Sequence, residues 1–268
     1  MIKKFIVTFI IFVLSFSITL THAEENELRY LIRVFDQIET TINIVYKTVK
    51  DRRDNMVDLK LNIYQPKNDN LDKRPLIVWI HGGGFVNGSK ENMESRCIDF
   101  AKMGYVTATI NYRLSAKYTK NIEEAIPDAV EDARSAIDWL RENASKYKID
   151  INNIFVGGSS AGGITSIYLG YEDNGWDKTG IKGIINLWGA LFDLKVVDPD
   201  DPPVIIIHGM NDKTVPIKLS YDLVKKLKEN KIYYEFYPVK GAGHGVPPTP
   251  GYSFNYVEAI FIYYLLDY

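Results

Sequence analysis

Residues 153–163, Asn-Ile-Phe-Val-Gly-Gly-Ser-Ser-Ala-Gly-Gly, decide the fold of this 268-residue chain. An apolar run enters a glycine-rich turn, which predicts a buried strand, a sharp turn and then a helix. Residues 158–162 fit the pattern G-x-S-x-G, in which the serine stands on a strained strand-to-helix turn with its hydroxyl clear of the sheet. Ser160 is therefore the candidate nucleophile.

The two partners that a serine nucleophile needs follow later strands. Asp212 comes shortly after the apolar run 204–207, and His244 comes after the strand-like run 233–239. Because the carboxyl ends of parallel strands meet at one edge of a sheet, both side chains are expected near Ser160. A neutral imidazole can take the serine proton, and a carboxylate on its other nitrogen holds the tautomer. The sequence predicts His244 as the general base and Asp212 as the residue that orients it.

Other residues compete for these two roles. His81 opens a glycine motif and His208 directly abuts its strand, so both are better placed for structural hydrogen bonds than for the role of base. Asp193 follows the preceding strand and is the rival acid. Asp200 and Asp201 come before their strand and so lie at its wrong end.

A second glycine motif, His-Gly-Gly-Gly-Phe at residues 81–85, follows the apolar run 75–80. Such a loop brings backbone N–H groups to the negative oxygen that develops when a carbonyl becomes tetrahedral. The predicted donors are the N–H groups of Gly83, Gly84 and Ala161, the last at a helix N-terminus. The alternative, a loop that grips phosphate, is not supported because neither phosphate-binding glycine pattern is present nearby.

Strand and helix patterns alternate along the chain and predict an α/β fold. Residues 43–49 and 57–64 are typical of antiparallel strands at a sheet edge, and later short apolar runs are typical of buried parallel strands. Helical patterns cover residues 92–102, 122–148, 161–171, 217–229 and 254–266. We therefore expect a mostly parallel sheet with helices on both faces, built by one domain at residues 24–268.

The segment between the strand that ends near Trp188 and the apolar run 204–207 is short, since only residues 189–203 intervene. That length predicts that no large cap covers the site, which favours short acyl groups on bulky alcohols over long acyl chains. Residues 28–44 remain a candidate partial lid.

The first 23 residues predict a secretory signal peptide. Lys3 and Lys4 precede an apolar stretch at residues 5–20, and small residues end at Ala23 before two glutamates. Cleavage after Ala23 and a secreted or periplasmic location are expected. An uncleaved N-terminal anchor is the alternative.

Composition excludes several classes of function. The net charge of −2 offers no basic field for nucleic acid, and no membrane partner is expected once the leader is removed. Cys97 is the only cysteine, so an internal disulfide and a cysteine-rich zinc site are excluded. No metal or organic cofactor is expected, because the base and the oxyanion donors would already do the work of a metal.

With these motifs the chain resembles the α/β-hydrolase superfamily, and more narrowly its secreted carboxylesterases with an HGGG loop. The matching segments are residues 81–85, 111–114, 128–132, 158–162, 208–212 and 243–245. The resemblance implies a serine esterase that acts through an acyl-enzyme. Residues 81–90 are similar to small esterases of feruloyl or acetyl groups on plant polysaccharides, which implies small-molecule or carbohydrate-linked ester substrates.

Some matching residues have a structural alternative to a functional role. Residues 112–113 and 128–132 are as well suited to bracing the loops around the site as to contacting substrate, and are not counted as catalytic. Phe85 and Trp188 are candidate substrate contacts, since each follows a strand, with core packing as the alternative. Two other functions are compatible with the sequence: a serine peptidase, since related peptidases share the segment around Asp212, and a hydrolase-fold binding protein without activity.

Overall fold

Eight strands form one sheet in the computed structural model, which describes residues 28–245 and 254–266. The spatial order is β1-β2-β4-β3-β5-β6-β7-β8. β1 pairs with β2, and β2 with β4, in antiparallel fashion, whereas the other neighbours are parallel. The strands are β1 (Ile38–Lys50), β2 (Met56–Pro66), β3 (Arg74–Ile80), β4 (Val106–Ile110), β5 (Ile149–Ser159), β6 (Ile181–Leu187), β7 (Val204–Gly209) and β8 (Tyr234–Val239).

Helices cover both faces of this sheet. They are α1 (Glu94–Lys102), α2 (Ile126–Glu142), α3 (Ala144–Tyr147), α4 (Ala161–Tyr171), α5 (Lys218–Glu229) and α6 (Phe254–Leu265). Side chains of α2, α4 and α5 share one buried cluster with one face of the strands, and those of α1 and α6 share a second cluster with the other face. The predicted mostly parallel sheet with helices on both faces is therefore confirmed.

The long helix expected at residues 122–148 is interrupted. A short 3-10 turn at Glu123–Ala125 precedes α2, and Pro127 lies in the first turn of that helix, where its missing N–H costs no hydrogen bond. The helix α2 ends at Glu142, with Asn143 as its C-cap, so α3 is a separate turn. Lys148 then adopts a left-handed conformation (φ 52°) that ends α3.

The N-terminal described residues lie away from the predicted site. The backbone N–H of Tyr30 donates to the carbonyl of Met103, and the N–H groups of Val34 and Phe35 donate to that of Lys102. These carbonyls precede β4, so this segment packs at the amino ends of the parallel strands. Residues 28–44 therefore do not form a lid, because residues 28–35 lie at the edge opposite the predicted site and residues 38–44 belong to β1.

The carboxyl edge of the sheet carries no large cap among the described residues. The connection from β6 to β7 spans residues 188–203 and contains one 3-10 turn, Leu194–Val196. Within the described ranges, no helix has the length and apolar character needed to cross a bilayer. The predicted signal peptide, residues 1–23, lies outside the described residues.

Candidate active site

Ser160 stands on a strained turn between β5 and α4. Its backbone has φ 53° and ψ −118°, a conformation that L-residues rarely adopt, and its N–H donates to the carbonyl of Leu187 at 2.9 Å. The turn fits only because Gly162 lacks a side chain, since a Cβ there would lie 2.0 Å from the carbonyl oxygen of Ile80. The strain thus places the serine hydroxyl beyond the carboxyl edge of the sheet.

The three predicted triad residues meet in one chain of hydrogen bonds. His244 Nε2 lies 2.8 Å from Ser160 Oγ, and His244 Nδ1 lies 2.8 Å from Asp212 Oδ2. The Asp212 side chain is completely buried, whereas 26% of the His244 side chain is exposed. With Nδ1 protonated toward the carboxylate, Nε2 is left to accept the proton of the serine.

The loop after β7 holds Asp212 in its ionised form. Its Oδ1 accepts hydrogen bonds from the N–H groups of Thr214 at 2.8 Å and Val215 at 2.9 Å. Burial acts to raise the pKa of Asp212, but the hydrogen bonds from His244 and these two amides outweigh burial and lower that pKa. A carboxylate is therefore available to stabilise a protonated His244.

The rival acid Asp193 does not approach His244. Its side chain accepts from the N–H of Lys195 at 3.0 Å and caps the 3-10 turn that follows, and the residue is exposed. Asp201 precedes β7 and accepts from the N–H of Asp198 at 2.7 Å. Of the carboxylates considered from the sequence, the structure brings Asp212 to the histidine.

His208 is buried beneath this site. Its Nδ1 lies 2.8 Å from Ser220 Oγ, and its Nε2 lies 2.8 Å from the carbonyl oxygen of Val215 and 3.2 Å from Asp212 Oδ2. Burial lowers the pKa of His208 and so favours the neutral ring, in which Nε2 donates to the carbonyl. The expectation of a structural histidine is met, but its contact with the acid itself was not foreseen.

The second glycine motif lies directly against the nucleophile. A Cβ at Gly82 would come within 3.3 Å of the Ser160 Cβ, and Gly83 has φ 117°, which only glycine adopts readily. Within the described residues, no backbone acceptor pairs with the N–H groups of Gly83, Gly84 or Ala161. The three predicted oxyanion donors thus belong to the two turns that meet at Ser160 and have no backbone partner in the part of the chain that the structure describes.

Residues of the other matching segments brace this loop. The Tyr112 hydroxyl donates to the carbonyl of His81 at 3.0 Å, and the rings of Tyr112 and His81 stack at 4.3 Å. Both the backbone N–H and the Nε of Arg113 donate to Asp132 Oδ2, at 2.9 and 2.8 Å. These contacts agree with the bracing role that the sequence allows for residues 112–113 and 128–132.

The two candidate substrate contacts differ in exposure. Phe85 has 0% of its surface exposed and packs edge-on against Tyr112, so it belongs to the core, which was its alternative role. Trp188 is partly exposed, follows β6 and donates its backbone N–H to the carbonyl of Ile207 at 2.8 Å. Trp188 therefore remains a candidate substrate contact and Phe85 does not.

Comparisons with known proteins agree with this geometry. The BD-FAE family model matches residues 61–185, which contain the oxyanion loop and Ser160, and the prolyl oligopeptidase family model matches residues 173–266, which contain Asp212 and His244. The apo form of Thermogutta terrifontis esterase 2 is 28% identical, with a TM-score of 0.66 over 84% of this chain and 92% of that one. The chain belongs to the α/β-hydrolase superfamily. Within it, the hydrolase is similar to carboxylesterases.

Curated relatives of the hydrolase are longer proteins. Esterase LipC of Mycobacterium tuberculosis is 24% identical over 232 residues, which are 69% of this chain and 56% of LipC. The para-nitrobenzyl esterase of Bacillus subtilis is 34% identical over 113 residues, 40% of this chain and 23% of that enzyme. The hydrolase thus spans about half or less of the length of these two relatives.

Proposed function

We propose that this protein is a serine carboxylesterase that hydrolyses short-chain acyl or aromatic esters through an acyl-enzyme. The observation that carries this proposal is the chain of hydrogen bonds from Asp212 Oδ2 through His244 to Ser160 Oγ, with 2.8 Å at each step. Among the described residues, the N–H groups of Gly83, Gly84 and Ala161 have no backbone acceptor, and Ala161 directly follows the nucleophile. Those are the groups that acyl transfer requires.

In this mechanism, Ser160 Oγ attacks the ester carbonyl carbon while its proton passes to His244 Nε2. The negative oxygen of the tetrahedral intermediate accepts hydrogen bonds from Ala161 and from the glycine loop. His244 then gives its proton to the departing alcohol, which leaves an acyl group on Ser160. A water molecule, deprotonated by the same histidine, attacks the acyl-enzyme and releases the acid.

Two observations support small acyl groups. The described residues build no large cap over the carboxyl edge of the sheet, which favours short acyl groups over long chains. Thermogutta terrifontis esterase 2, which is 27–28% identical, has been solved with propionate and with butyrate bound. By the resemblance of residues 81–90, acetyl or feruloyl esters of plant polysaccharides are the substrates that we propose to test first.

A peptidase is the second candidate, because the prolyl oligopeptidase family model covers the segment that holds Asp212 and His244. The esterase proposal is favoured because the BD-FAE model covers the segment that holds Ser160 and both arms of the oxyanion site. Turnover of p-nitrophenyl acetate and of a prolyl p-nitroanilide separates the two. Faster turnover of the anilide, compared as kcat/KM, would reverse the order of the two candidates.

We also propose that the chain is exported and cleaved after Ala23, as its basic and apolar leader predicts. Expression of the full chain in a bacterial host, followed by fractionation and N-terminal sequencing, tests this step. A mature chain that begins at Glu24 outside the cytoplasm supports export. Retention of the leader in the membrane fraction would favour the uncleaved anchor.

Covalent labelling tests the nucleophile independently of substrate choice. Paraoxon, which phosphorylates the Thermogutta esterase, should add one diethylphosphoryl group to the intact protein and none to Ser160→Ala. Ser159→Ala is the matched control, since Ser159 is the adjacent hydroxyl and contacts Met93 Sδ at 4.0 Å. Full labelling and full turnover of p-nitrophenyl acetate in Ser160→Ala would refute the proposed mechanism.

A further inference from the structure

A cavity of about 280 Å³ opens at the carboxyl edge of the sheet, on the side of β2 and β4. Its walls come from the end of the β1–β2 hairpin, from the glycine loop and from residues 111–118, and they include none of the three triad residues. This volume is close to the lower end of the roughly 300–1,000 Å³ that small-molecule sites occupy. The cavity is therefore sized for one small ligand or one unit of a larger one.

The glycine loop separates this cavity from the nucleophile by one residue. Gly82 packs against Ser160 on one side, and on the other side its carbonyl oxygen accepts from Nδ1 of His81, which lines the cavity, at 2.7 Å. A ligand in the cavity would thus lie directly behind the oxyanion loop.

Two polar groups of the wall lack protein partners. His81 is 1% exposed, and burial lowers its pKa, so the ring is neutral with its proton on Nδ1 toward Gly82. Its Nε2 is then an acceptor with no hydrogen bond to any described residue. Asn111 Oδ1 accepts from the N–H of Lys90 at 2.7 Å, whereas its Nδ2 has no partner within the same ranges. One acceptor and one donor on the wall of the same cavity match the two functions of a hydroxyl group.

The charged residues around the cavity disfavour an anionic ligand. Asp51, Asp58, Arg113 and Lys117 line the wall, and Asp132, paired with Arg113, adds a third carboxylate against these two cations. The excess of negative charge repels an anion. A neutral ligand meets no such repulsion.

An aromatic ring completes the wall. Tyr118 lines the cavity and is 42% exposed, and the guanidinium of Arg53 lies 4.6 Å from the centre of its ring. An exposed ring offers an apolar surface to the C–H groups of a sugar while its hydroxyl stays in water. Together with the hydrogen-bonding groups, the ring suits a ligand that carries hydroxyl groups and also has an apolar face of C–H groups.

We infer that this cavity binds a neutral sugar unit, as the alcohol part of the ester that Ser160 attacks. The role of this sugar as part of the substrate rests on the proposed function, but sugar binding itself can be tested without turnover. His81 and Asn111 meet the hydroxyl groups, and Tyr118 meets one face of the ring. A short acyl group then remains on the Ser160 side of the oxyanion loop.

The binding experiment uses the full protein and unesterified sugars: xylose, xylobiose, arabinose, galactose and glucose, each by ligand-observed NMR and calorimetry. We expect at least one of them to bind to the intact protein and to Ser160→Ala equally. Tyr118→Ala and the cavity-filling Val57→Trp should weaken that binding about tenfold or more. Tyr221→Ala is the matched control, because Tyr221 is 45% exposed but lies on α5, outside the cavity wall. Absence of binding by all five sugars at tens of millimolar overturns the inference.

The kinetic experiment separates this site from the esterase proposal. With an acetylated xylobiose, Tyr118→Ala should raise KM about tenfold with little change in kcat, while both constants for p-nitrophenyl acetate stay as in the parent. Equal effects of Tyr118→Ala on the two substrates, or no effect on the sugar ester, would refute the sugar site but leave the esterase proposal unaffected. Failure of the parent protein to hydrolyse p-nitrophenyl acetate would instead count against the proposed function.

Discussion

Nε2 of His208 lies 3.2 Å from Asp212 Oδ2, the same oxygen that meets Nδ1 of His244 at 2.8 Å. One carboxylate oxygen therefore faces two imidazoles. His208 is buried and neutral, with its N–H directed to the Val215 carbonyl, so it supports the acid loop without competing for the proton of the reaction. The exposed histidine is the one that reaches Ser160.

Removing the charge at Asp212 tests its proposed role as the orienting acid. Asp212→Asn keeps the size of the side chain but no longer favours the Nδ1–H tautomer of His244, and we expect kcat to fall by roughly 10⁴. Asp193→Asn should leave kcat unchanged, because Asp193 is exposed and bonded to the N–H of Lys195. Both are measured with p-nitrophenyl acetate. A large loss in the Asp193 variant together with an active Asp212 variant would exchange the two assignments.

His208→Phe tests whether the buried histidine positions the acid. An aromatic ring still fills the position, but the hydrogen bonds of the imidazole to Val215 and Ser220 are lost, and those partners are left unpaired in the core. We expect the free energy of unfolding to fall by about 2–4 kcal/mol and kcat to fall more than tenfold.

Ser220→Ala separates stability from positioning. This variant removes the partner of Nδ1 alone and leaves the Val215 and Asp212 contacts in place. A loss of about 1 kcal/mol in the free energy of unfolding is expected, with kcat within about twofold of the parent. If both variants lose activity in proportion to stability, His208 has no separate positioning role.

Gly83→Ala tests the oxyanion loop. A Cβ at this position would lie 2.1 Å from the Asn87 carbonyl oxygen, and the residue has φ 117°, so the loop must move. Loss of a well-placed donor predicts a fall in kcat of roughly 100-fold or more, with a smaller change in KM. Gly175→Ala is the control, since Gly175 also has positive φ (78°) but nothing lies within 4 Å of its Cβ position. Equal effects of the two would indicate backbone strain rather than a lost donor.

The candidate site was predictable because its residues directly follow strands. Ser160, Asp212 and His244 each come within a few residues of the carboxyl end of a recognisable apolar run, so the parallel sheet alone brings them to one edge. The strands were recognisable for the same reason, because alternation and short apolar runs are local patterns. Their bounds were less exact: β1 begins at Ile38 and β5 at Ile149, five and four residues before the predicted runs begin.

Features that depend on packing between distant segments were not predictable. The position of residues 28–35 is set by hydrogen bonds to Lys102 and Met103, for which the local sequence carries no signal. Phe85 follows a strand just as Trp188 does, and both have a positive φ (59° and 42°), yet packing against Tyr112 places Phe85 in the core. The contact of His208 with Asp212 likewise arises from the turn of the acid loop and not from sequence spacing.

A buried carboxyl on α6 predicts a dependence of stability on pH. Glu258 is completely buried, and its Oε2 accepts from Arg96 at 2.6 Å, while its Oε1 has no partner among the described residues. Burial raises the pKa of Glu258 from 4.5 to about 7 despite the attraction of Arg96. Between these two values the folded state binds more protons than the unfolded state. Stability contributed at this site is therefore present at low pH and is lost as pH rises toward 7.

Glu258→Gln keeps the shape of the side chain and removes its titration. Urea unfolding gives the free energy of unfolding of the parent and of Glu258→Gln at each pH. We expect the parent value minus the variant value to fall by about 3 kcal/mol between pH 5 and pH 8. Subtraction cancels the titration of all other groups because both proteins share them. Glu229→Gln, at an exposed position on α5, should show a constant difference from the parent. A constant difference for Glu258→Gln as well would mean that the carboxylate is already ionised in the folded protein at pH 5, held by its bond to Arg96.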